Sequence, residues 1–216
     1  MSNILVVAAH PDDEILGCGG TLLKHRANGD NIFACIVTSA YEPAWSRDYI
    51  ETKLKEAEKV DDILGTTKRF FCRLPTVKLN TVPTGEINLS LKKVIDEVDP
   101  DIIYTHHQFD VNKDHGLVNE AVMVNTRPIE KKIKVRCFET VSSSEWNNKP
   151  FIPNLYVDIS GHLEDKIEMF CQYKSEVKEY PHPRSPEGLR VLASKRGIEI
   201  CTYHAEAFEI ARDFWT

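Results

Sequence analysis

Apolar and polar positions along the chain alternate in blocks of two kinds. "ILVVAA" (4–9) is an unbroken apolar run, as expected of a strand buried on both faces. "ILGCGGTLLKHRANG" then has helical spacing and ends at Gly29. "NIFACIVTS" (31–39) reads as a second strand. Residues 47–64 form a helix with Ile50, Leu54, Ala57, Val60 and Leu64 on one side and Gly65 as its stop. "TKRFFCRL" (67–74) is a third strand, and "INLSLKKVIDEV" is an amphipathic helix ended by Asp99-Pro100. "DIIYTHH" (101–107) is a fourth strand, followed by the polar loop "QFDVNKDHG" and a helix over roughly 115–126. "KVRCFET" and "NLYVDIS" read as late strands, and "HLEDKIEMFCQYKSEV" as a helix. "YPHPRSPEG" is a proline-rich loop, and "PEGLRVLASKRG" is the helix after it.

Alternation of this kind predicts one α/β domain over 1–216, a mostly parallel sheet with helices on both faces. No internal repeat, low-complexity tract or linker divides it. Such sheets bind ligands in the crevice outside the carboxyl ends of their strands. "HPDDE" lies just past the first strand and "HHQFDVNKDH" just past the fourth, so both loops are expected to face one crevice.

Composition narrows the function. The net charge is −6, and no Lys/Arg-rich stripe appears, which argues against nucleic-acid binding. No apolar run approaches a membrane span. "MSNILVVAAHPDDE" has neither a basic n-region nor a cleavage site, so a cytoplasmic protein is expected. The six cysteines, Cys18, Cys35, Cys72, Cys137, Cys171 and Cys201, form no C-x-x-C pair and fit small buried hydrophobes in a reducing compartment.

The acidic loop carries the chemistry. Adjacent carboxylates repel one another, and a bound cation offsets that cost. His10 and Asp13 lie three apart in a turn entering a helix and can converge on one ion. Imidazole with carboxylate suits zinc, and also ferrous iron, manganese or cobalt. A catalytic zinc takes three protein ligands and a water, and His115, at the start of the helix after the fourth-strand loop, is the best third candidate. Asp12 is placed to act as general base. Glu14 falls in the first helical turn, where the helix dipole favours a carboxylate. An opposing reading makes "HPDDE" only a charged helix cap. Another takes "GCGG" as a turn for a nucleotide or S-adenosylmethionine. That turn needs its glycines immediately after the strand, whereas Gly17, Gly19 and Gly20 lie within the helix, where small residues let it pack closely on the sheet.

"AAHPDDEILGCGGTL" resembles the signature of the PIG-L/LmbE-like N-acetylglucosamine deacetylases. The resemblance implies a Rossmann-like layer with one zinc at the strand tips, held by His10, Asp13 and His115, with Asp12 as general base. The family's second motif, His-Pro-Asp-His, aligns with Asn112-Lys113-Asp114-His115, so Asn112 stands where the family has a histidine thought to act as acid or oxyanion donor. Asn112 cannot give up a proton but can hydrogen-bond an oxyanion. Asp114 remains without its customary partner. The leaving amine's proton is then expected from Asp12, or from His106, His107 or His182, with His182 preferred because its proline-rich loop can close over the crevice. Arg184, by its planar fork, is a candidate for a substrate phosphate or carboxylate. Arg47 and Lys53, the latter in the family's R-x-x-E-A spacing, are further substrate-binding candidates, as is His106. The combined expectation is a zinc-dependent hydrolase removing an acetyl group from an N-acetylated amino sugar or a small conjugate of one. A metal-binding domain without catalysis and a nucleotide-binding protein stand as alternatives.

Overall fold

The computed structural model describes residues 1–215. Seven strands form one sheet: β1 (Asn3–Ala8), β2 (Asn31–Ser39), β3 (Lys68–Pro75), β4 (Ile102–His106), β5 (Lys134–Phe138), β6 (Leu155–Asp158) and β7 (Ala205–Arg212). The helices are α1 (Asp13–Ala27), α2 (Arg47–Leu64), α3 (Thr84–Val98), α4 (Lys113–Asn125), α5 (Leu163–Phe170) and α6 (Pro186–Ile198). The strand order is β3-β2-β1-β4-β5-β7-β6. β1 to β5 run parallel, and β7 is antiparallel to both β5 and β6. From β1 the chain first winds outward to β2 and β3, then returns to the other side at β4. The tips of β1 and β4 therefore flank the point where the winding reverses, which opens a crevice there.

Successive residues of β1 face opposite sides, so one strand feeds two cores. Ile4 and Val6 pack with α1, α2, α5 and α6, while Leu5 and Val7 pack with α3 and α4. Local signals end the helices as read from the chain. Gly65 caps α2 at φ 70°, and Asp99 stops α3 at φ 48° just before Pro100. Ser46 caps the start of α2, and Ser185, followed by Pro186, caps that of α6.

Three features depart from the expected pattern. β7, "AEAFEIAR", is not foreshadowed by the sequence pattern. It inserts between the two late strands, pairing antiparallel with both and leaving β6 at the edge. The helix expected over "HLEDKIEMFCQYKSEV" stops at Phe170; the chain then turns, and Tyr173 is drawn fully into the core. α1 is broken at Cys18, whose φ of −147° and ψ of 19° lie outside the helical region. The freed N–H groups of Gly20 and Thr21 donate to the buried Glu206 carboxylate at 2.9 and 2.7 Å, and Lys166 Nζ donates to the Leu16 carbonyl at 2.9 Å and pairs with Glu206 at 2.6 Å. One ion pair thus satisfies both sides of the break.

The small residues of "GCGG" serve packing, as expected. A Cβ on Gly17 would lie 2.2 Å from the Phe138 ring, and one on Gly20 2.9 Å from Ile159. Among the described residues no helix is long and apolar enough to cross a membrane. Gly17→Ala should destabilise the fold by about 1–3 kcal/mol, as overpacking does. Chemical denaturation checks this through a lowered midpoint at unchanged slope.

Candidate active site

The loop after β1 holds three consecutive buried carboxylates, and each meets a different partner. Asp12 adopts φ 121°, strained for a residue with a Cβ. Its N–H donates to Glu14 Oε2 at 3.0 Å, and its Oδ2 accepts from Arg184 Nη1 at 3.1 Å. Asp13 Oδ2 lies 3.1 Å from His10 Nδ1 and 3.3 Å from His115 Nε2, and those two nitrogens are 3.2 Å apart. Glu14 is fully buried. It accepts from Tyr173 Oη at 2.6 Å and from Arg69 Nη1 at 2.9 Å, and Arg69 is also forked onto Asp61. The dipole role expected for Glu14 is thus outweighed by a direct ion pair.

His10, Asp13 and His115 fit a metal. Tetrahedral zinc with ligand bonds of about 2.0 Å places neighbouring donors roughly 3.3 Å apart, close to the spacing of these three atoms. Asp13 Oδ1 is buried without a hydrogen-bond partner, a cost that a cation would relieve. Each histidine has a carboxylate behind it. His10 Nε2 is 3.2 Å from Asp114 Oδ2, and His115 Nδ1 is 3.0 Å from Asp110 Oδ2. Such carboxylates fix the tautomer and ring orientation of metal-binding histidines. Asp114 is itself anchored by the Val77 N–H at 2.8 Å. Asp110 is held by Ser143 and Ser144 and caps the Asn112 N–H. Asp110 is not among the residues the sequence singles out, although its place two residues before Asn112 in "DVNKDH" puts three polar groups at alternating positions. A second grouping, His106, Asp110 and His115, does not compete. His106 Nε2 already accepts the Ala9 N–H at 2.9 Å, and its Nδ1 lies 3.2 Å from Thr140 Oγ1.

Electrostatics follow from burial and neighbours. Burial alone would raise the Asp13 carboxyl, but His115 beside it and the hydrogen bond from His10 hold it well below its ordinary range. Burial, with Asp13 adjacent, pushes Asp12 well up, and Arg184 opposes this. Burial disfavours the His10 cation, yet hydrogen bonds to Asp114 and Asp13 raise the ring to about 10. His115 is raised by Asp13 and Asp110 against the effect of its burial.

A cavity of about 260 Å³ opens beside His10 and Asp12, near the lower end of ligand-pocket sizes, about 300 Å³. Trp45, Tyr49, Ile50 and Leu54 supply apolar lining, and Lys53, Asn112, Glu176 and Arg184 supply polar groups. Asn112 Oδ1 caps α4 by accepting the Asp114 N–H at 3.0 Å, which leaves its amide N–H₂ as the donor. Other expected residues lie elsewhere. Arg47 is exposed on the first turn of α2 and paired with Glu51 at 2.9 Å, away from the cavity. His106 is sealed beneath the ligands, stacked on His115 with ring centroids 3.9 Å apart, and cannot reach a substrate. His107 is buried against Glu209 at 2.8 Å. His182 does not line the cavity; its Nδ1 accepts the Arg184 N–H at 3.0 Å, so it supports that loop. Trp45, Tyr49 and Glu176 do not stand out in the sequence because their segments carry no motif.

An α/β layer thus carries a His-Asp-His cluster able to hold a metal at its switch point, next to a cavity with polar and apolar lining. Residues 5–125 match the PIG-L family model, described as GlcNAc-PI de-N-acetylase. The chain belongs to this family of deacetylases. It is 27% identical over 177 residues, 80% of this chain and 90% of the other, to "Uncharacterized deacetylase YaiS" of Escherichia coli (strain K12). Its fold is similar to that of the conserved protein TT1542 from Thermus thermophilus, with a TM-score of 0.81 and 23% identity over 100% of this chain and 97% of that one. It is also similar to N,N'-diacetylchitobiose deacetylase from Pyrococcus horikoshii, with a TM-score of 0.78 and 20% identity over 96% and 82%.

Two outcomes follow. Arg69→Met leaves the Glu14 charge buried and uncompensated, which should cost about 3–5 kcal/mol and is read as a fall in unfolding free energy. In the metal-free protein a ring raised to about 10 carries its proton at pH values near ~7. Zinc binding should therefore release at least one proton, and affinity should fall as pH drops. Calorimetry in buffers of different ionisation enthalpy measures the proton count; zero release contradicts the assignment.

Proposed function

We propose that the protein is a zinc-dependent amide hydrolase that removes the acetyl group from an N-acetylated amino sugar or a small conjugate of one. The carrying observation is the juxtaposition of the His10–Asp13–His115 donor set with Asp12 on the wall of the cavity. His10, Asp13 and His115 would hold the ion. When bound, zinc would polarise the amide carbonyl and bring the pKa of a water close to about 7.

The remaining chemistry belongs to the chain. Asp12 takes the water's proton. Its carboxylate is turned toward the cavity by the strained backbone and held there by Arg184. A dication held at Asp13 would counter the burial that otherwise favours the protonated form of Asp12. The Asn112 amide donates to the oxygen that gains charge as the carbonyl is attacked. None of His106, His107 and His182 lines the cavity, so Asp12, once protonated, returns its proton to the departing amine. Lys53 contacts the sugar end, and Asp114, behind His10, orients that ring.

Asp12→Asn should retain metal while kcat falls by about 10²–10⁴, the usual loss for a general base, whereas His10→Ala should lose most of the metal. Elemental analysis together with release of free amine from N-acetylated sugars reads both. Near-normal kcat in Asp12→Asn would defeat the base assignment, and full occupancy in His10→Ala would defeat the ligand set.

A further inference from the structure

Four charged side chains run along one wall of the cavity with alternating sign. Lys53 Nζ donates to Glu176 Oε1 at 2.8 Å. Arg184 Nη1 donates to Glu176 Oε2 at 3.0 Å and to Asp12 Oδ2 at 3.1 Å. All four line the cavity, and their formal charges cancel. Arginine and lysine in a cavity ordinarily mark an anion site, because both donate charge-assisted hydrogen bonds. Neither is free for that purpose here. Arg184 Nε is committed to Ser142 Oγ at 2.7 Å, and Lys53 has Glu56 behind it at 3.5 Å. Glu176 stands between the two cations, and an entering anion would meet the Glu176 and Asp12 carboxylates.

We propose that Glu176 sets substrate specificity by neutralising Lys53 and Arg184, so that the cavity accepts an uncharged amino sugar and rejects a phosphorylated, sulfated or carboxylated one. This rests on the amino-sugar reading above and reverses the expectation that Arg184 binds a substrate phosphate or carboxylate. Glu176 lies in the turn-rich segment between α5 and α6, eight residues before Arg184, so one segment carries both the cation and the group that neutralises it. A carboxylate offers about four acceptor positions. Lys53, Arg184 and the Ser175 hydroxyl, at 3.2 Å, take three. The fourth remains for a sugar hydroxyl, which can donate where an anion cannot. Burial works to raise the Glu176 carboxyl, but its bond from Lys53 and the nearby Arg184 hold it ionised below its ordinary range. Trp45, Tyr49 and Ile50, which also line the cavity, carry no charge.

The test is calorimetric binding to zinc-loaded protein, which does not depend on turnover. The probes are N-acetylglucosamine, its 6-sulfate and inorganic sulfate; sulfate is chosen because it is a weaker metal ligand than phosphate. Wild-type protein should bind the neutral sugar at least about tenfold more tightly than the 6-sulfate, as expected when like charges are brought together in a partly buried site. Glu176→Gln keeps the side-chain shape and raises the net charge of this four-residue set by one. It should close that gap and acquire binding of inorganic sulfate that the wild type lacks. Adding Lys53→Met to Glu176→Gln restores neutrality and should abolish the acquired sulfate binding, a reversal that mere loop damage would not produce. A Glu176→Gln protein that binds sulfate no better than wild type overturns the proposal whatever the sugars do. A wild-type protein that binds neither sugar, with sulfate binding still acquired by Glu176→Gln, leaves the charge gate standing and defeats the amino-sugar reading instead.

Discussion

Everything at this site depends on burying three consecutive carboxylates. Like charges in a low-dielectric environment repel strongly, and each must find its own counter-charge. The fold supplies three from three directions. Arg184 arrives from the loop before α6 for Asp12, His115 from α4 joins His10 for Asp13, and Arg69 from β3 with Tyr173 from beyond α5 serves Glu14. The loop after β1 is therefore pinned to four other segments. That over-determination is what allows Asp12 to hold a backbone conformation that costs of order 1–3 kcal/mol.

The same logic places function at the strand tips. Glu14 and Arg69 make a closed ion pair in the interior, and that pair is structural. Asp13 with two histidines makes an open cluster with an unpartnered oxygen, and that cluster is suited to a cation. Asp12 and Arg184 lie at the cavity wall, where the pair is reachable. Three neighbouring residues thus grade from scaffold to chemistry according to how completely the protein itself satisfies them. The carboxylates behind the histidines, Asp114 and Asp110, extend this order outward and tie the His-Asp-His cluster to the β3 and β5 loops.

Much of this was legible in the chain itself. Continuous apolar runs against helical spacing specify a parallel α/β layer, because a strand buried on both faces has no polar face to show. Gly65 and Asp99-Pro100 mark helix ends by local backbone conformation alone. "HPDDE" raises the question of a counter-charge because adjacent carboxylates repel, and the rule that such loops share a rim points to His115, which the fold brings to 3.3 Å from Asp13. Tertiary structure decided the rest. β7 is not legible because its polar residues, Glu206, Glu209 and Arg212, recur every third position rather than every second, and its stability comes from the strands it pairs with. Arg69, Tyr173 and Asp110 are ordinary residues in their own segments and gain meaning only through partners 55, 159 and 5 positions away. His106 and His182 look like proton donors in the sequence, yet His106 accepts a backbone N–H in the interior and neither residue lines the cavity. Local chemistry is written in neighbouring residues; which side chain meets which charge is settled only when distant segments are packed together, since Coulombic and hydrogen-bond terms act over a few ångströms of space rather than along the chain.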